Sequence, residues 1–389
     1  MLNFNLQVPT RILFGKNKVD ELGKEILKYG NRVLLVYGGG SIKRCGLYDR
    51  IVQILNEKDI FYAELSGVQP NPRITSVRQG VELCRENRVE LVLAVGGGSV
   101  IDCAKIIAAG VMYDGEPWDF FQGKARIGKA LPVGTVLTLA ATGSEMNLTA
   151  VISNEDTDEK IGVGGISLYP RFSILDPALT FTVPPHQTAA GTADIISHIF
   201  EQYFSPTPGC FVQDRMAEAM LKACIYYGPV AIVEPENYEA RANLMWTGTL
   251  ALNGLLSTGK NTDWGVHQIE HVISAIYDVT HGLGLAILIP AWMRQVLNEH
   301  TVVKLAEYAR RVWAIHGDDD FAVANLGINK TEDFFRSLGL AASLKEIGVE
   351  EGRLEEIADQ ATADQVPLGS FGQLSRNDVL NILQAAYSA

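Results

Sequence analysis

Hydrophobic residues in the first half of the chain occur as short continuous runs that end at glycine or proline. Val33–Tyr37 is stopped by three glycines, and Leu91–Val95 is stopped by Gly96–Gly98. Continuous apolar strands, rather than alternating ones, are typical of a sheet that is covered on both faces. Segments with helical spacing separate these runs, so the pattern predicts a doubly wound, parallel α/β sheet. The predicted strands are Arg11–Phe14, Val33–Tyr37, Leu91–Val95, Ala130–Leu139 and Phe172–Leu175, and the predicted helices between them include Asp49–Glu57 and Ile74–Glu86.

The pattern changes near Val183. Beyond this point β-branched runs become rare and helical spacing dominates. The chain has 389 residues, which exceeds one typical core of about 100–200 residues. We therefore predict two domains, an α/β domain over residues 1-182 and an all-α domain over residues 183-389. The helices predicted in the second domain are Thr188–Phe204, Gln213–Tyr227, Tyr238–Leu256, Thr262–Tyr277, Ile287–Glu299, Val302–Ile315, Ile328–Leu338 and Asp378–Tyr387.

Composition narrows the class of protein. Apolar residues make up 47% of the chain and charged residues 20%, so a sizeable core can form. The formal net charge is −12 and Lys and Arg do not cluster, which is not typical of a nucleic-acid-binding protein. The five cysteines are scattered, as in a reduced, cytosolic protein. We find no signal-peptide pattern and no apolar run near the roughly 18–20 residues of a membrane span. We therefore expect a cytoplasmic protein with no nucleic-acid and no membrane partner.

Two glycine turns share one pattern. The sequence Gly-Gly-Gly-Ser occurs at 38–41 and at 96–99, each time after a predicted strand and before a plausible helix. Glycine lets backbone N–H groups approach a phosphate closely, and a helix N-terminus favours an anion. Because ligands of open α/β sheets bind at the carboxyl ends of strands, the pair of turns favours a dinucleotide. Neither turn is the G-x-G-x-x-G fingerprint, so two ordinary tight turns are the alternative. Ser99 is also a candidate cap of the second helix, with Asp102 three residues on.

A third polar cluster lies at the end of the next predicted strand. It contains Thr138, Thr142, Gly143, Ser144 and Asn147. Small hydroxyl residues beside a glycine suit hydrogen bonds to a phosphate or to the amide of a nicotinamide. The residues leave a second interpretation equally open, in which Thr142 or Ser144 caps the start of a helix.

Asp and His residues recur at helical spacing in the second domain. Asp194 and His198 are four residues apart, so on a helix they project from the same face, and His267 and His271 repeat that spacing. His281 follows ten residues later. Imidazole and carboxylate ligands together suit Fe(II) or Zn(II). One Asp with three His would leave an open position at which a metal acts as a Lewis acid on a carbonyl or an alkoxide.

An ordinary structural role is the alternative for these residues, because a lone histidine on a helix more often packs or caps than binds a metal. Two spaced pairs and a further histidine on otherwise apolar helices favour the metal. To the three remaining histidines we assign no role in the chemistry; they are His186, His300 and His316.

Several longer motifs occur in order along the chain. They are Pro9–Gly15, Tyr37–Lys43, Gln69–Pro72, Gly96–Asp102, Leu137–Glu145 and Leu175–Pro177, followed by the helical Asp/His segments. Together they resemble the iron-containing (group III) alcohol dehydrogenases, in the branch of butanol dehydrogenases and aldehyde reductases, essentially from end to end.

This resemblance implies a dinucleotide-binding α/β domain followed by a helical metal-binding domain. The metal ligands it implies are Asp194, His198, His267 and His281, and it places His271 near the substrate as the candidate catalytic residue that relays a proton. It also implies contacts with the cofactor at Gly38, Gly39, Gly40, Ser41, Gly97, Gly98, Ser99, Asp102, Thr138, Thr142, Ser144, Asn147 and Lys160.

The choice between the two nicotinamide cofactors depends on the first glycine turn. The NAD-specific relatives carry an Asp after the first strand that binds the ribose 2′-OH, and the turn at 38–41 has none. Because such an Asp would repel a 2′-phosphate, its absence favours NADP(H), with Ser41 and Lys43 as candidates to meet the phosphate. NAD(H) stays the alternative, since some butanol dehydrogenases with the same glycines are described as NADH enzymes.

The activity that the resemblance implies is reversible hydride transfer between NAD(P)(H) and a small primary alcohol or aldehyde, such as butanol or butanal. A homodimer is implied as well.

Two rival classes share parts of the pattern. Dehydroquinate-synthase-like and glycerol-dehydrogenase-like proteins have a related two-domain fold. The dehydroquinate-synthase-like proteins are lyases that need a cluster of basic residues, and the sequence has no such cluster near the candidate ligands. A nucleotide- or metal-binding sensor would not need both the ligand set and the cofactor turns.

Overall fold

The computed structural model describes residues 1–363 and 366–388. Contacts divide the chain into two compact units. The α/β unit comprises Gln7–Val183 and Pro235–Asn253, and the helical unit comprises Met1–Leu6, Pro184–Glu234 and Gly254–Ala389. The predicted fold class is confirmed, with a parallel sheet between helices in the first part of the chain and a mostly helical C-terminal part.

The strands and helices follow in chain order. The strands are β1 (Arg11–Phe14), β2 (Arg32–Tyr37), β3 (Phe61–Leu65), β4 (Leu91–Gly96), β5 (Val133–Leu137), β6 (Thr149–Asn154), β7 (Glu159–Gly164) and β8 (Phe172–Leu175). The helices are α1 (Leu22–Ile26), α2 (Ser41–Arg44), α3 (Leu47–Glu57), α4 (Ile74–Glu86), α5 (Gly98–Val111), α6 (Pro185–Tyr203), α7 (Phe211–Val233), α8 (Tyr238–Ala251), α9 (Gly265–Tyr277), α10 (His281–Val296), α11 (Val302–Trp313), α12 (Asp320–Ser337), α13 (Leu354–Ala361) and α14 (Arg376–Ser388).

A parallel sheet in the order β1-β8-β5-β4-β2-β3 forms the centre of the α/β unit, and β6 and β7 form a separate antiparallel hairpin. Successive side chains of a strand point to opposite faces. Leu34 and Val36 of β2 therefore pack among residues of α4 and α5, whereas Val33 and Leu35 pack among residues of α1 and α3. Both faces are covered, which explains why the strands are continuously apolar in the sequence.

The sequence pattern missed β3 and the hairpin of β6 and β7. Strand β3 lies at the edge of the sheet and is only partly buried, and it carries the charged residue Glu64. An edge strand of this kind needs no continuous apolar run. Strand β5 is shorter than the predicted Ala130–Leu139, because it begins directly after Pro132, which has no N–H to donate to a neighbouring strand.

Helix α6 runs through the core of the helical unit. Every residue from Thr188 to Tyr203 is buried, and the helix packs against α7 and α10. A helix that is buried on all sides belongs to a protein interior. Polar side chains on α6 therefore lie away from water and need specific partners.

Helix α10 begins at His281, six residues before the start at Ile287 that the sequence pattern predicts. Glycine weakens helical propensity, so Gly282 and Gly284 conceal this first turn in the sequence. The structure needs the glycine at 282, because a Cβ there would stand 2.0 Å from the backbone oxygen of Ala190 on α6. The close approach of α10 to α6 brings His281 to the face of α6 that carries Asp194.

Helix α8 belongs to the α/β unit, although its sequence lies beyond residue 182. Thr249 Oγ1 donates a hydrogen bond of 2.5 Å to Glu145 Oε1, and the ring of Trp246 lies 5.9 Å from that of Phe14. The predicted division into 1-182 and 183-389 stays a prediction. The contact-defined units differ from it over residues 1–6, 183 and 235–253.

Helix α7 is long and apolar enough, by length and composition alone, to cross a bilayer. The helix predicted from the sequence, Gln213–Tyr227, is shorter than α7. In the structure Asp214 of this helix pairs with Lys260 and Lys304, and Arg215 pairs with Glu307. One such helix is weak evidence for a membrane, because core helices of globular proteins can have the same length and composition.

Candidate functional site

Four of the residues singled out from the sequence come together in the helical unit. Asp194 and His198 lie one turn apart on α6, His267 lies in the first turn of α9, and His281 is the first residue of α10. One potential ligand atom from each lies within 4.8 Å of those of the other three. The first three are buried and His281 is half-buried, so the cluster is more accessible on the side of His281.

The surroundings of the histidine nitrogens fit a bound metal ion. His198 Nδ1 and His267 Nε2 are buried, and neither has a hydrogen-bond partner among residues 1–363 and 366–388. Buried polar atoms almost always have a partner, so two such nitrogens in one cluster require an explanation. A divalent cation supplies it, because the set of one carboxylate and three imidazoles suits iron or zinc.

The protonation of His198 also suits a ligand. Burial lowers the pKa of His198 well below its usual value, and the neighbouring His267, His281 and His271 act in the same direction. Metals bind the neutral imidazole, which is the form that this environment favours.

His271 lies beside the cluster rather than within it. Its half-buried ring on α9 is 5.6 Å from the ring of His281 and 6.3 Å from that of His267, between centroids. Ligand-type atoms of Glu270, His271 and His281 form a second close group, which shares only His281 with the first. His186, His300 and His316 are exposed and belong to neither group.

The glycine turns of the α/β unit lie at a switch point of the sheet. The chain leaves β2 towards β3 on one side, whereas it leaves β4 towards β5 on the other. Ligands of such sheets bind in the crevice that this reversal opens at the carboxyl ends of the strands. The turns at 38–41 and 96–99 follow β2 and β4, and the third polar cluster follows the adjacent β5.

Glycine is required for different reasons at different positions of these turns. A Cβ at Gly98 would stand 2.3 Å from Thr142 Oγ1. The second turn therefore needs this glycine to pack against the third polar cluster, which contains Thr142. Gly40 has a φ of 96°, which favours glycine. At Gly39 φ is not positive, and no described atom lies within 4 Å of the position of a Cβ. The fold alone therefore does not account for Gly39, whereas close approach by a ligand would.

Several polar residues of the third cluster bind the protein itself. Ser144 Oγ donates to Asp102 Oδ1 at 2.5 Å, and Lys105 Nζ donates to Asn147 Oδ1 at 2.8 Å. Lys105 is fully buried, and burial lowers its pKa to about 8. These contacts tie the third turn to α5, which begins at the second turn.

Two expected helix caps are absent from the structure. Helix α5 begins at Gly98 with Gly97 in the capping position, so Ser99 lies inside the first turn. Between β5 and β6 the chain forms a 3-10 turn, Ser144–Met146, whose capping residue is Gly143 in the left-handed region. Thr142 Oγ1 does accept a hydrogen bond from the backbone N–H of Ser144, at 3.2 Å.

The remaining cofactor candidates occupy different places. Thr138 follows β5, and its N–H donates to the backbone oxygen of Gly96 at 3.0 Å. Lys43 on α2 holds its ammonium 5.1 Å from the ring centre of Tyr37 and 4.5 Å from that of Tyr48, and the hydrogen bond with Tyr37 raises the pKa of Lys43. Lys160 lies on β7 in the hairpin that packs against α5.

Comparison with known families covers almost the whole chain. The model of "Iron-containing alcohol dehydrogenase" matches residues 9–177, and that of "Fe-containing alcohol dehydrogenase family, C-terminal" matches residues 188–387. The chain belongs to the iron-containing alcohol dehydrogenase family. The family resemblance predicted from the sequence motifs is thereby confirmed.

Individual members of this alcohol dehydrogenase family are similar over their full length. NADH-dependent butanol dehydrogenase A of Clostridium acetobutylicum is 54% identical, with 100% of both chains covered. NADPH-dependent aldehyde reductase YqhD of Escherichia coli is 42% identical, with 90% of each chain covered. The crystal structure of NADH-dependent butanol dehydrogenase A from Thermotoga maritima has a TM-score of 0.96 at 41% identity, covering 100% of this chain and 99% of that one.

The sequence pattern did not predict a role for two residues that lie next to the four candidate metal ligands of this iron-containing alcohol dehydrogenase. Glu201 Oε1 accepts hydrogen bonds from the backbone N–H and from Nδ1 of His267, at 3.0 and 3.1 Å. Glu270 accepts a hydrogen bond from Nδ1 of His281. Glu201 lies three residues after His198 on the same helix face, and this spacing was the signal that could have identified it.

Proposed function

We propose that this chain is a metal-dependent alcohol dehydrogenase and aldehyde reductase, which interconverts small primary alcohols and aldehydes with NAD(P)(H). The observation that carries the proposal is the cluster of Asp194, His198, His267 and His281, in which two buried nitrogens have no hydrogen-bond partner among the described residues. The glycine turns at the switch point of the sheet support the cofactor, and family membership supports the reaction class.

Each part of the site has a distinct task in the proposed reaction. A divalent metal held by the four residues would supply Lewis acidity towards the oxygen of the carbonyl or alkoxide. His271, next to the cluster, or water at the metal site would give a proton to the oxygen in aldehyde reduction and take it back in alcohol oxidation. The reduction consumes one aldehyde, one NAD(P)H and one proton, and it yields one alcohol and one NAD(P)+.

The α/β unit holds the cofactor by backbone approach at the turns. We propose that Gly38, Gly39, Gly40, Ser41 and the second turn at Gly97, Gly98 and Ser99 receive the phosphates. Thr138, Thr142 and Lys160 are proposed as further contacts. Asp102, Ser144 and Asn147 stay candidates as well, and their internal hydrogen bonds support a role in fixing the shape of the third turn.

The relatives include both NADH- and NADPH-dependent proteins by name. We propose NADP(H) for this chain because the turn after β2 has no acidic residue and Lys43 follows it on α2. We further propose a cytoplasmic homodimer, in agreement with the sequence analysis. Light scattering after gel filtration should then give twice the 42.4 kDa of one chain.

The proposed function is tested with protein that is stripped by a chelator and reloaded separately with Fe(II) and Zn(II). Oxidation of NADPH and NADH is followed with butanal as substrate. We expect no turnover in the stripped protein and restored turnover with at least one metal. No turnover with either metal across several aldehydes would refute the proposal and favour a lyase or a sensor.

A further inference from the structure

Glu201 forms hydrogen bonds between two of the helices that carry the candidate metal ligands. It lies on α6, its side chain is 3% exposed, and its Oε1 accepts two hydrogen bonds from a single residue, His267. The N–H of His267 is one of those at the start of α9 that have no partner within the helix. Glu201 therefore caps α9 from another helix and holds the ring of the same residue.

The hydrogen bond to the ring determines which nitrogen of His267 carries the proton. A carboxylate only accepts hydrogen bonds, so Nδ1 of His267 must be the protonated nitrogen. The lone pair then lies on Nε2, which is the buried nitrogen without a partner among the described residues. Glu201 thus leaves His267 in the form that a metal binds.

Glu270 repeats this arrangement for His281 from a different helix. It lies on α9, is fully buried, and accepts hydrogen bonds from His281 Nδ1 and from Ser274 Oγ. By the same argument the lone pair of His281 lies on Nε2, which is 3.8 Å from Asp194 Oδ1. Gly284 leaves room for this carboxylate, because a Cβ there would stand 2.9 Å from Glu270 Cγ.

His198 has no corresponding hydrogen bond. Its Nδ1 lies 3.5 Å from Asp194 Oδ1 but makes no hydrogen bond to any residue that the structure describes. Two of the three histidines are therefore fixed by a buried glutamate, whereas no glutamate among the described residues holds the ring of the third.

We propose that Glu201 and Glu270 are positioning residues, which set the tautomer and ring direction of His267 and His281 before the metal binds. The inference rests on the proposed function, since it concerns the same metal site. Carboxylates behind ligating histidines typically raise metal affinity or activity by about 10–100-fold. Because the two carboxylates act on different histidines, their effects on affinity should multiply.

Metal affinity and histidine tautomers test this proposal without any assay of turnover. The chelator-stripped protein is titrated with Co(II), whose visible spectrum reports both affinity and coordination. The variants are Glu201→Gln and Glu270→Gln, in which the amide keeps an acceptor but loses the charge. Glu218→Gln is the matched control, because Glu218 is equally buried on α7 but binds Tyr203 and Arg215 instead of a histidine.

We expect each Gln variant to bind Co(II) about 10–100-fold more weakly than wild type, and the control to differ much less. Equal affinity in wild type and both variants, or an equal loss in the control, would overturn the inference. A wild-type protein that binds no Co(II) would instead refute the proposed function.

Nitrogen-15 NMR of the histidines in wild-type apoprotein needs no substitution, so it applies even if a variant fails to fold. We expect a protonated Nδ1 on both His267 and His281. A protonated Nε2 with a bare Nδ1 on either residue would overturn the inference.

Discussion

Three histidines share a cluster with Asp194 in the helical unit, yet their surroundings differ. His267 and His281 each donate from Nδ1 to a buried glutamate, whereas Nδ1 of His198 finds no such acceptor in the described chain. Burial keeps His198 neutral, and the carboxylates orient the other two rings. The site therefore combines two ways of preparing a ligand for a cation, which are desolvation and directed hydrogen bonding.

Loss of one ligand should abolish both metal retention and activity. His267→Ala removes the nitrogen that Glu201 holds towards the cluster, and three ligands are left. Metal content per chain after dialysis and NADPH oxidation with butanal are the measurements. His316→Ala is the control, because His316 is exposed and lies outside the cluster. Full activity of His267→Ala without bound metal would refute the metal role.

The residue beside the cluster should behave differently from a ligand. We expect His271→Ala to keep its metal while turnover falls by about 10²-fold or more, because proton transfer loses its positioned group. Metal content and kcat are measured on the same preparation. If the variant loses its metal, His271 is a ligand and its assignment as a proton donor is wrong.

At the scale of elements, glycines decide how closely the parts of each site approach one another. Gly98 lets the second turn pack against the third, and Gly282 lets α10 approach α6. Gly39 has no such neighbour in the described chain. The three positions therefore separate glycines required by packing from a glycine that a ligand would require.

Alanine at 98 and at 39 should separate stability from cofactor binding. In Gly98→Ala the new Cβ overlaps Thr142, so we expect the free energy of unfolding to fall by about 1–3 kcal/mol. Gly39→Ala should leave stability unchanged but raise the KM of the cofactor, since its Cβ would stand where a phosphate approaches. Thermal unfolding and steady-state kinetics measure the two effects. An unchanged cofactor KM in Gly39→Ala would argue against phosphate binding at the first turn.

Alanine at 282 should disturb the metal site through the backbone. The new Cβ would meet the backbone oxygen of Ala190, so α10 must move away from α6 and take His281 with it. We expect lower Co(II) affinity together with a lower melting temperature of the apoprotein. Gly352→Ala is the control, because no described atom lies within 4 Å of its Cβ position. A wild-type affinity in Gly282→Ala would contradict this role of α10.

The sequence predicted the elements whose pattern follows from burial on both faces or on one stripe. Strands β2 and β4 were found because both faces of the sheet are covered, and Ile74–Glu86 was predicted with the bounds that α4 has. Strand β3 was not predicted, because it lies at the edge of the sheet and lacks a continuous apolar run. Glu201 and Glu270 were not predicted, because their spacing from the histidines is a weak signal until the fold shows that both carboxylates are buried. The Asp and His ligands could be grouped from their spacing and their rarity.

At the scale of the whole molecule, the two kinds of binding chemistry belong to different units. The α/β unit carries the glycine turns, and the helical unit carries the ligand cluster. Family models match both parts of the chain, and a relative that is 54% identical is covered over its full length. An enzyme of this kind needs both, because the cofactor carries the hydride and the metal acts on the oxygen.

Preference for NADPH should depend on Lys43. We expect Lys43→Ala to raise the KM for NADPH about tenfold, because a charged partner of the 2′-phosphate is lost, and to leave that for NADH nearly unchanged. Lys24→Ala, a change at an exposed lysine of the same unit, is the control. Equal effects on both cofactors would argue against contact between Lys43 and the 2′-phosphate.

We propose that Asp194, His198, His267 and His281 hold one catalytic metal ion. Anomalous diffraction at the iron edge from crystals of the iron-loaded protein locates the ion directly. We expect one peak per chain, with these four side chains as the protein ligands of the ion. A peak between Glu270, His271 and His281 instead, or no peak in crystals of active protein, would contradict this assignment.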